Sequence, residues 1–101
     1  MTAYVQIIEY QTDRIEEMRQ LGDEMQATGR APRFTTLVVS KDRDRPDTYL
    51  TIVEFPSYEA AMENNNDPET QKFAAQMGAL ASAPPKFYNL DVRETWLPSN
   101  G

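Results

Sequence analysis

The sequence contains no cysteine and no histidine. Without cysteine there is no disulfide framework, no thiolate nucleophile and no thiolate metal site, a composition that suits a reducing compartment. Without histidine the usual general base near neutral pH is also missing, and the two absences together argue against a transition-metal site. Glycine is scarce, with four residues scattered at Gly22, Gly29, Gly78 and Gly101. They build no glycine-rich phosphate loop, so no nucleotide cofactor is expected. No apolar stretch approaches the ~18 residues of a membrane span, and no charged N-terminal region leads into an apolar run. The expectation is a soluble, cytoplasmic domain with no metal and no cofactor.

What is present is acidic. Sixteen Asp and Glu against ten Lys and Arg give a formal charge of −6, which argues against nucleic acid or an anionic membrane as partner, because binding phosphate groups needs a basic face. One segment leans the other way: Arg30, Arg33, Lys41, Arg43 and Arg45 outnumber Asp42 and Asp44. A solvated hairpin with its flank accounts for it. A chain of 101 residues fits one domain over 1–101, with a core at about 3–96, that buries roughly 65% of its unfolded surface.

The stretch 48–73, TYLTIVEFPSYEAAMENNNDPETQKF, organises the chain. Residues 49–55 alternate as a strand, and Pro56-Ser57 stops it and caps a helix carrying Tyr58, Ala61 and Met62. Asn64, Asn65 and Asn66 are poor helix residues, and Asp67-Pro68 is a cap with proline at the first helical position, so the helix breaks and restarts. Phe73, Met77 and Leu80 continue its apolar stripe until Pro84-Pro85. Before this stretch, residues 3–10 (AYVQIIEY) read as a first strand. Residues 12–28 read as a helix with Thr12 or Asp13 as cap, a stripe of Ile15, Met18, Leu21 and Met25, and Gly29 as left-handed terminator. Residues 33–41 form the second strand, joined to the third by a six- or seven-residue loop. Residues 85–96 form the last, with Tyr88, Leu90 and Val92 on one side, expected against the helices, and Phe87, Asn89, Asp91 and Arg93 on the other.

The order βαββαβ is the ferredoxin-like plan, a four-stranded antiparallel sheet with its helices on one face, in the α+β class. The uncovered face is expected to carry Tyr4, Ile8, Tyr10, Phe34, Val38 and Phe87, too much apolar surface to leave wet. A symmetric homodimer with the two sheets facing each other covers it.

Strand end Glu54-Phe55, then Ser57, Glu59-Ala60, a polar residue at Asn64, and Pro68 followed by Phe73, within this order, resemble the dimeric α+β barrel superfamily, and within it the antibiotic-biosynthesis monooxygenase type of domain. The resemblance covers about 3–96 and implies a dimeric barrel. Activities in that superfamily diverge, from cofactor-independent oxidation of phenolic polyketides to haem degradation and polyketide cyclisation, and many of its members have no assigned reaction. Many such domains carry a histidine four residues before the proline. Here that position is Asn64, which argues against haem ligation and histidine acid–base chemistry.

The expected cavity lies between the uncovered sheet face and the broken helix. Its candidates are Asn64, Asp91 and Arg93 for catalysis, and Tyr4, Tyr49, Asn65, Asn89 and Trp96 for binding a small aromatic ligand, with Gln6 and Thr51 beside them. Asn64 or Asn65 would hold an oxyanion, Arg93 or Arg33 would stabilise negative charge, and Tyr49 or Trp96 would stack on a ring. Asp91 is either a general base raised by burial or the ion-pair partner of Arg93. Either Tyr49, Thr51, Val53 and Phe55 or Leu50, Ile52 and Glu54 point inward. The three asparagines have a plain alternative as a surface helix break, and Tyr4, Tyr49 and Trp96 as core or dimer packing. The functional expectation is a cofactor-independent monooxygenase for an aromatic or polyketide-like molecule. The alternatives are a cyclase or isomerase of the same fold, or a non-catalytic binding barrel. The tail Trp96-Leu97-Pro98 is expected to pack on the partner.

Overall fold

β-branched and aromatic residues alternate along YVQIIEYQ, and in the computed structural model, which describes residues 3–99, this run forms β1 (Tyr4–Gln11). It is central. β3 (Thr48–Phe55) pairs with it antiparallel on one side and β4 (Lys86–Asp91) on the other, while β2 (Thr36–Lys41) pairs outside β3, giving the order β2-β3-β1-β4. Between them run α1 (Ile15–Ala27), α2 (Tyr58–Asn66) and α3 (Pro68–Leu80), so the plan is βαββαβ with its second helix broken. β4 stops five residues short of the expected 96. As an edge strand it pairs only with β1, and that pairing runs out where Tyr4 meets Asp91.

Local chemistry sets the helix ends. Ser57 accepts the Ala60 N–H at 3.1 Å and starts α2. Replacing Ser57 by alanine should lower unfolding free energy by about 1 kcal/mol, read from urea denaturation with an unchanged m-value. Asp67 accepts the Glu69 N–H at 2.9 Å, and Pro68 follows as the first residue of α3. At α1 the expectation of a Thr12 or Asp13 cap is not met: Arg14 occupies the position with no side-chain cap bond. The fully buried Thr12 hydroxyl accepts the Arg14 N–H at 2.9 Å and donates to the Leu80 carbonyl at 2.8 Å, so it ties the start of α1 to the end of α3. Past α1, Gly29 takes φ 74, the left-handed terminator. The loop 42–47 is held by Asp42, whose carboxylate accepts the main-chain N–H of Asp44 and Arg45 and the Arg45 side-chain Nε–H.

Register decides the two sheet faces. Tyr4 lies opposite Phe55 and Asp91, Gln6 opposite Val53 and Asn89, Ile8 opposite Thr51 and Phe87, and Tyr10 opposite Tyr49. Ala61 of α2 packs on Tyr4, Val53 and Phe55, with Phe34, Ala60 and Met62 around them, so this is the face beneath the helices. The opposite face carries Val5 and Ile7, Leu50 and Ile52, Val38, Tyr88 and Leu90. This inverts the expected facing of β1 and β4: Tyr4, Ile8, Tyr10 and Phe87 lie on the helix side, where Phe34 also packs, and Tyr88 and Leu90 on the open side, whereas Val38 lies on the open face as expected. The helices cover β1 and β3, leaving Leu37, Val39 and Phe87 exposed on their side of the sheet and Val38, Tyr88 and Leu90 on the other.

Candidate functional site

On the helix side of the sheet, alternation brings Tyr49, Thr51, Val53 and Phe55 together and turns Leu50, Ile52 and Glu54 away. The cavity expected on the uncovered face therefore has its residues on the covered one. Tyr4 is buried, and the Tyr58 ring of α2 meets it edge-on at 5.3 Å and 82°. Burial pushes the Tyr4 phenol up, and the neighbouring Tyr58 and Asp91 add to this, so Tyr4 stays neutral and able to donate. Beside it the Gln6 amide donates to Asn89 Oδ1 at 3.2 Å. At the other end Tyr10 stacks on Tyr49 at 5.9 Å and 21°, and the Tyr10 hydroxyl is 3.0 Å from Thr51 Oγ1.

Above this face lies the break between α2 and α3. Ala61 has no exposed surface, and Asn64 and Asn65, three and four residues on, fall on the same side of the helix. Both are half-buried, whereas Asn66 is exposed. Thr70 Oγ1 lies 3.5 Å from Asn64 Oδ1, and Gln71 Nε2 donates to the Asn65 carbonyl at 3.2 Å. Tyr4, Asn89 and Asp91 thus lie together at one end of the helix side of the sheet, Tyr49 lies six residues along the ladder at the other end, and Asn64 and Asn65 sit half-buried at the helix break.

Two candidates stand apart. Trp96 is 87% exposed and its indole N–H donates to Glu94 at 2.9 Å, so within one chain it stacks on nothing in the sheet. Arg93 lies two residues past the end of β4, exposed, and among the described residues no ion pair joins it to Asp91. Asp91 is itself exposed at the sheet edge, directly across from Tyr4. Arg33, the alternative cation, is committed elsewhere: its Nη1 donates to Asp67 at 2.8 Å and its Nε lies 3.9 Å from Glu63. The basic segment is correspondingly not a free patch, since Arg30 also binds Asp67 and Arg45 binds Asp42 and Glu9.

Asp67 was legible only as a helix cap. Its carboxylate, 7% exposed, receives the guanidinium groups of Arg30 and Arg33 and the Glu69 N–H, which hold it well below the usual carboxylate range. The partners lie 37 and 34 residues away, and no local pattern marks them. An open hollow of about 820 Å³ beside this cluster is lined by Arg30, Arg33, Tyr58, Met62 and Asn66 as well. Among the described residues no group of three or more acidic side chains could hold a metal ion, and no helix is long and apolar enough to cross a membrane.

This topology, with the broken second helix, is the fold of solved structures named as antibiotic biosynthesis monooxygenases. The chain is similar to SnoaB, a cofactor-independent oxygenase from Streptomyces nogalater, with a TM-score of 0.77, 18% identity, and 98% of this chain and 100% of that chain covered. It is also similar to a proposed antibiotic biosynthesis monooxygenase from Caulobacter crescentus (TM-score 0.77, 13% identity, 92% of each chain) and to another from Deinococcus radiodurans (TM-score 0.74, 16% identity, 96% of this chain and 99% of that chain). No protein-family model and no curated protein matches the sequence.

Proposed function

We propose that the chain is a cofactor-independent monooxygenase for an aromatic or polyketide-like phenol or enol, working as a cytoplasmic homodimer. The observation that carries this is the alignment of Tyr4, Gln6, Asn89 and Asp91 on the helix side of the sheet, with Asn64 and Asn65 half-buried at the helix break. The shared fold with an oxygenase named as cofactor-independent supports it. In this scheme the substrate hydroxyl passes its proton to the Asp91 carboxylate, and the side-chain amide of Asn64 or Asn65 donates to the oxyanion left behind. The carbanion character of that anion lets it give an electron to dioxygen, and the two radicals combine at a ring carbon. The resulting peroxide takes back the proton held by Asp91, the C–H proton at that carbon leaves and the O–O bond breaks, so one oxygen stays as a carbonyl and the other departs as water. Tyr4, neutral at working pH, and Asn89, oriented by Gln6, fix the ring, while Tyr49, six residues along the ladder and stacked on Tyr10, takes no part. Arg93 supplies positive charge at the strand end. The dimer forms through the open sheet face, with the exposed Trp96 and Leu97 reaching the partner.

An oxygen electrode with a panel of quinol- and anthrone-type substrates tests the scheme. Oxygen uptake should match product formed, and Asn64→Ala should lower kcat by about 10²–10³, the usual loss for one oxyanion donor. The position of Asp91 directly across from Tyr4 favours a second reading, an isomerase or cyclase moving protons without oxygen. Turnover that consumes no oxygen and vanishes in Asp91→Asn would replace the first reading with the second. Stoichiometric binding of phenols without turnover of any kind would overturn both.

A further inference from the structure

Three parts of the chain meet at Asp67. Its main-chain N–H donates to the Asn64 carbonyl at 3.2 Å and closes α2, while its carboxylate accepts the Glu69 N–H and opens α3. The same carboxylate receives both terminal nitrogens of Arg30, at 3.4 and 2.5 Å, and Nη1 of Arg33 at 2.8 Å. The two arginines belong to segment 29–34, which leaves α1 through left-handed Gly29 and has no helix or strand of its own. Beyond it, the Thr35 N–H donates to the Glu54 carbonyl at 2.8 Å. Among the described residues, the side chains that tie 29–34 to the rest of the molecule are Arg30 and Arg33 on Asp67, Arg33 near Glu63, and Phe34 against the core cluster.

A helix cap needs no cation, since Ser57 starts α2 with a neutral hydroxyl. A largely buried carboxylate with two guanidinium partners does something further. Planar, multidentate pairs fix direction as well as distance, and removing the cations would leave a poorly solvated charge at the break. We infer that Asp67 is a positioning residue: clamped by Arg30 and Arg33, it fixes the α2–α3 break and thereby the Asn64 and Asn65 amides above the sheet. Docking of segment 29–34 then sets the geometry of the site. The inference rests on the role given to Asn64 and Asn65 under the proposed function.

Two variants separate clamp from cap. Asp67→Asn keeps a good capping acceptor and removes the charge, whereas the double variant Arg30→Gln/Arg33→Gln removes the cations and leaves the cap. In each, native-state hydrogen exchange should quicken about ten-fold or more both in segment 29–34 and at the amides of Asn65 to Asp67, with far-ultraviolet dichroism unchanged. Combining the substitutions should add little, since either one breaks the same contact. With a phenol that wild type turns over, kcat should fall while KM stays near its original value. Unchanged exchange in segment 29–34 would overturn the clamp, and a loosened segment with unchanged exchange at 65–67 would overturn the positioning role. Quickened exchange at both places in a protein whose wild type turns over no phenol would uphold the clamp and overturn the proposed function instead.

Discussion

Replacing Ile52 by aspartate is expected to reduce the particle mass from about twice the 11.6 kDa chain to the chain itself, measured by light scattering at micromolar concentration. Ile52 sits in a row that crosses all four strands of the open face, Val38, Ile52, Ile7 and Tyr88. Val5 and Leu90 flank the row on one side and Leu50 on the other, and a polar margin follows where Glu9 binds Arg45 and Tyr88. An apolar centre with a charged rim is the anatomy of an interface, and an isolated domain rarely leaves such a patch in water. In a two-fold dimer each substitution enters twice, and desolvating an unpaired carboxylate costs several kcal/mol per ion. That exceeds what a small interface can spare. Gln20→Asp, on the exposed side of α1, should leave the mass unchanged. A wild-type chain that scatters as a monomer would remove the dimer.

The order of elements, the hairpin loop, the Ser57 and Asp67 caps and the helix break at the asparagines were legible because each depends on a few adjacent residues. The facing of the sheet was not. Alternation sorts Tyr88 and Leu90 from Asn89 and Asp91 but does not say which set the helices cover, and both faces of this sheet carry apolar residues. Assigning the more apolar side of β4 to the helices presumed that a helix is the only cover available. The structure turns the polar side of that edge strand to the helix side, where Phe87, Asn89 and Asp91 stay exposed and Asn89 and Asp91 lie level with Gln6 and Tyr4. The same limit hid Asp67: its cap is local, whereas its arginine partners are brought to it only by the turn after α1. Thr12 was misread for a related reason, because its hydroxyl serves a contact with Leu80, 68 residues away, as well as the nearby Arg14 N–H.

Phe55→Ala is expected to have the largest effect on stability of any single substitution within one chain. The side chain is 1% exposed and stands between Tyr4, across the ladder, and Ala61 above it. Truncating a buried phenylalanine costs about 3–5 kcal/mol, from lost transfer energy and the cavity left behind. A domain of this size holds only about 5–15 kcal/mol in total. Among the described residues the buried apolar ones are few, Tyr4, Tyr10, Met18, Val53, Phe55 and Ala61, so the neighbours have little material with which to collapse into the gap. At roughly 4–8 °C per kcal/mol, Tm should fall by at least about 12 °C. Phe55→Leu keeps most of the volume and should cost less than about 2 kcal/mol, so it remains measurable even where the alanine variant does not fold. Self-association stabilises a folded chain by mass action, so all Tm values are to be compared at one protein concentration. Equal Tm values for the alanine and leucine variants would mean that Phe55 is not the centre of the core, and that the open face and its partner hold the sheet together instead.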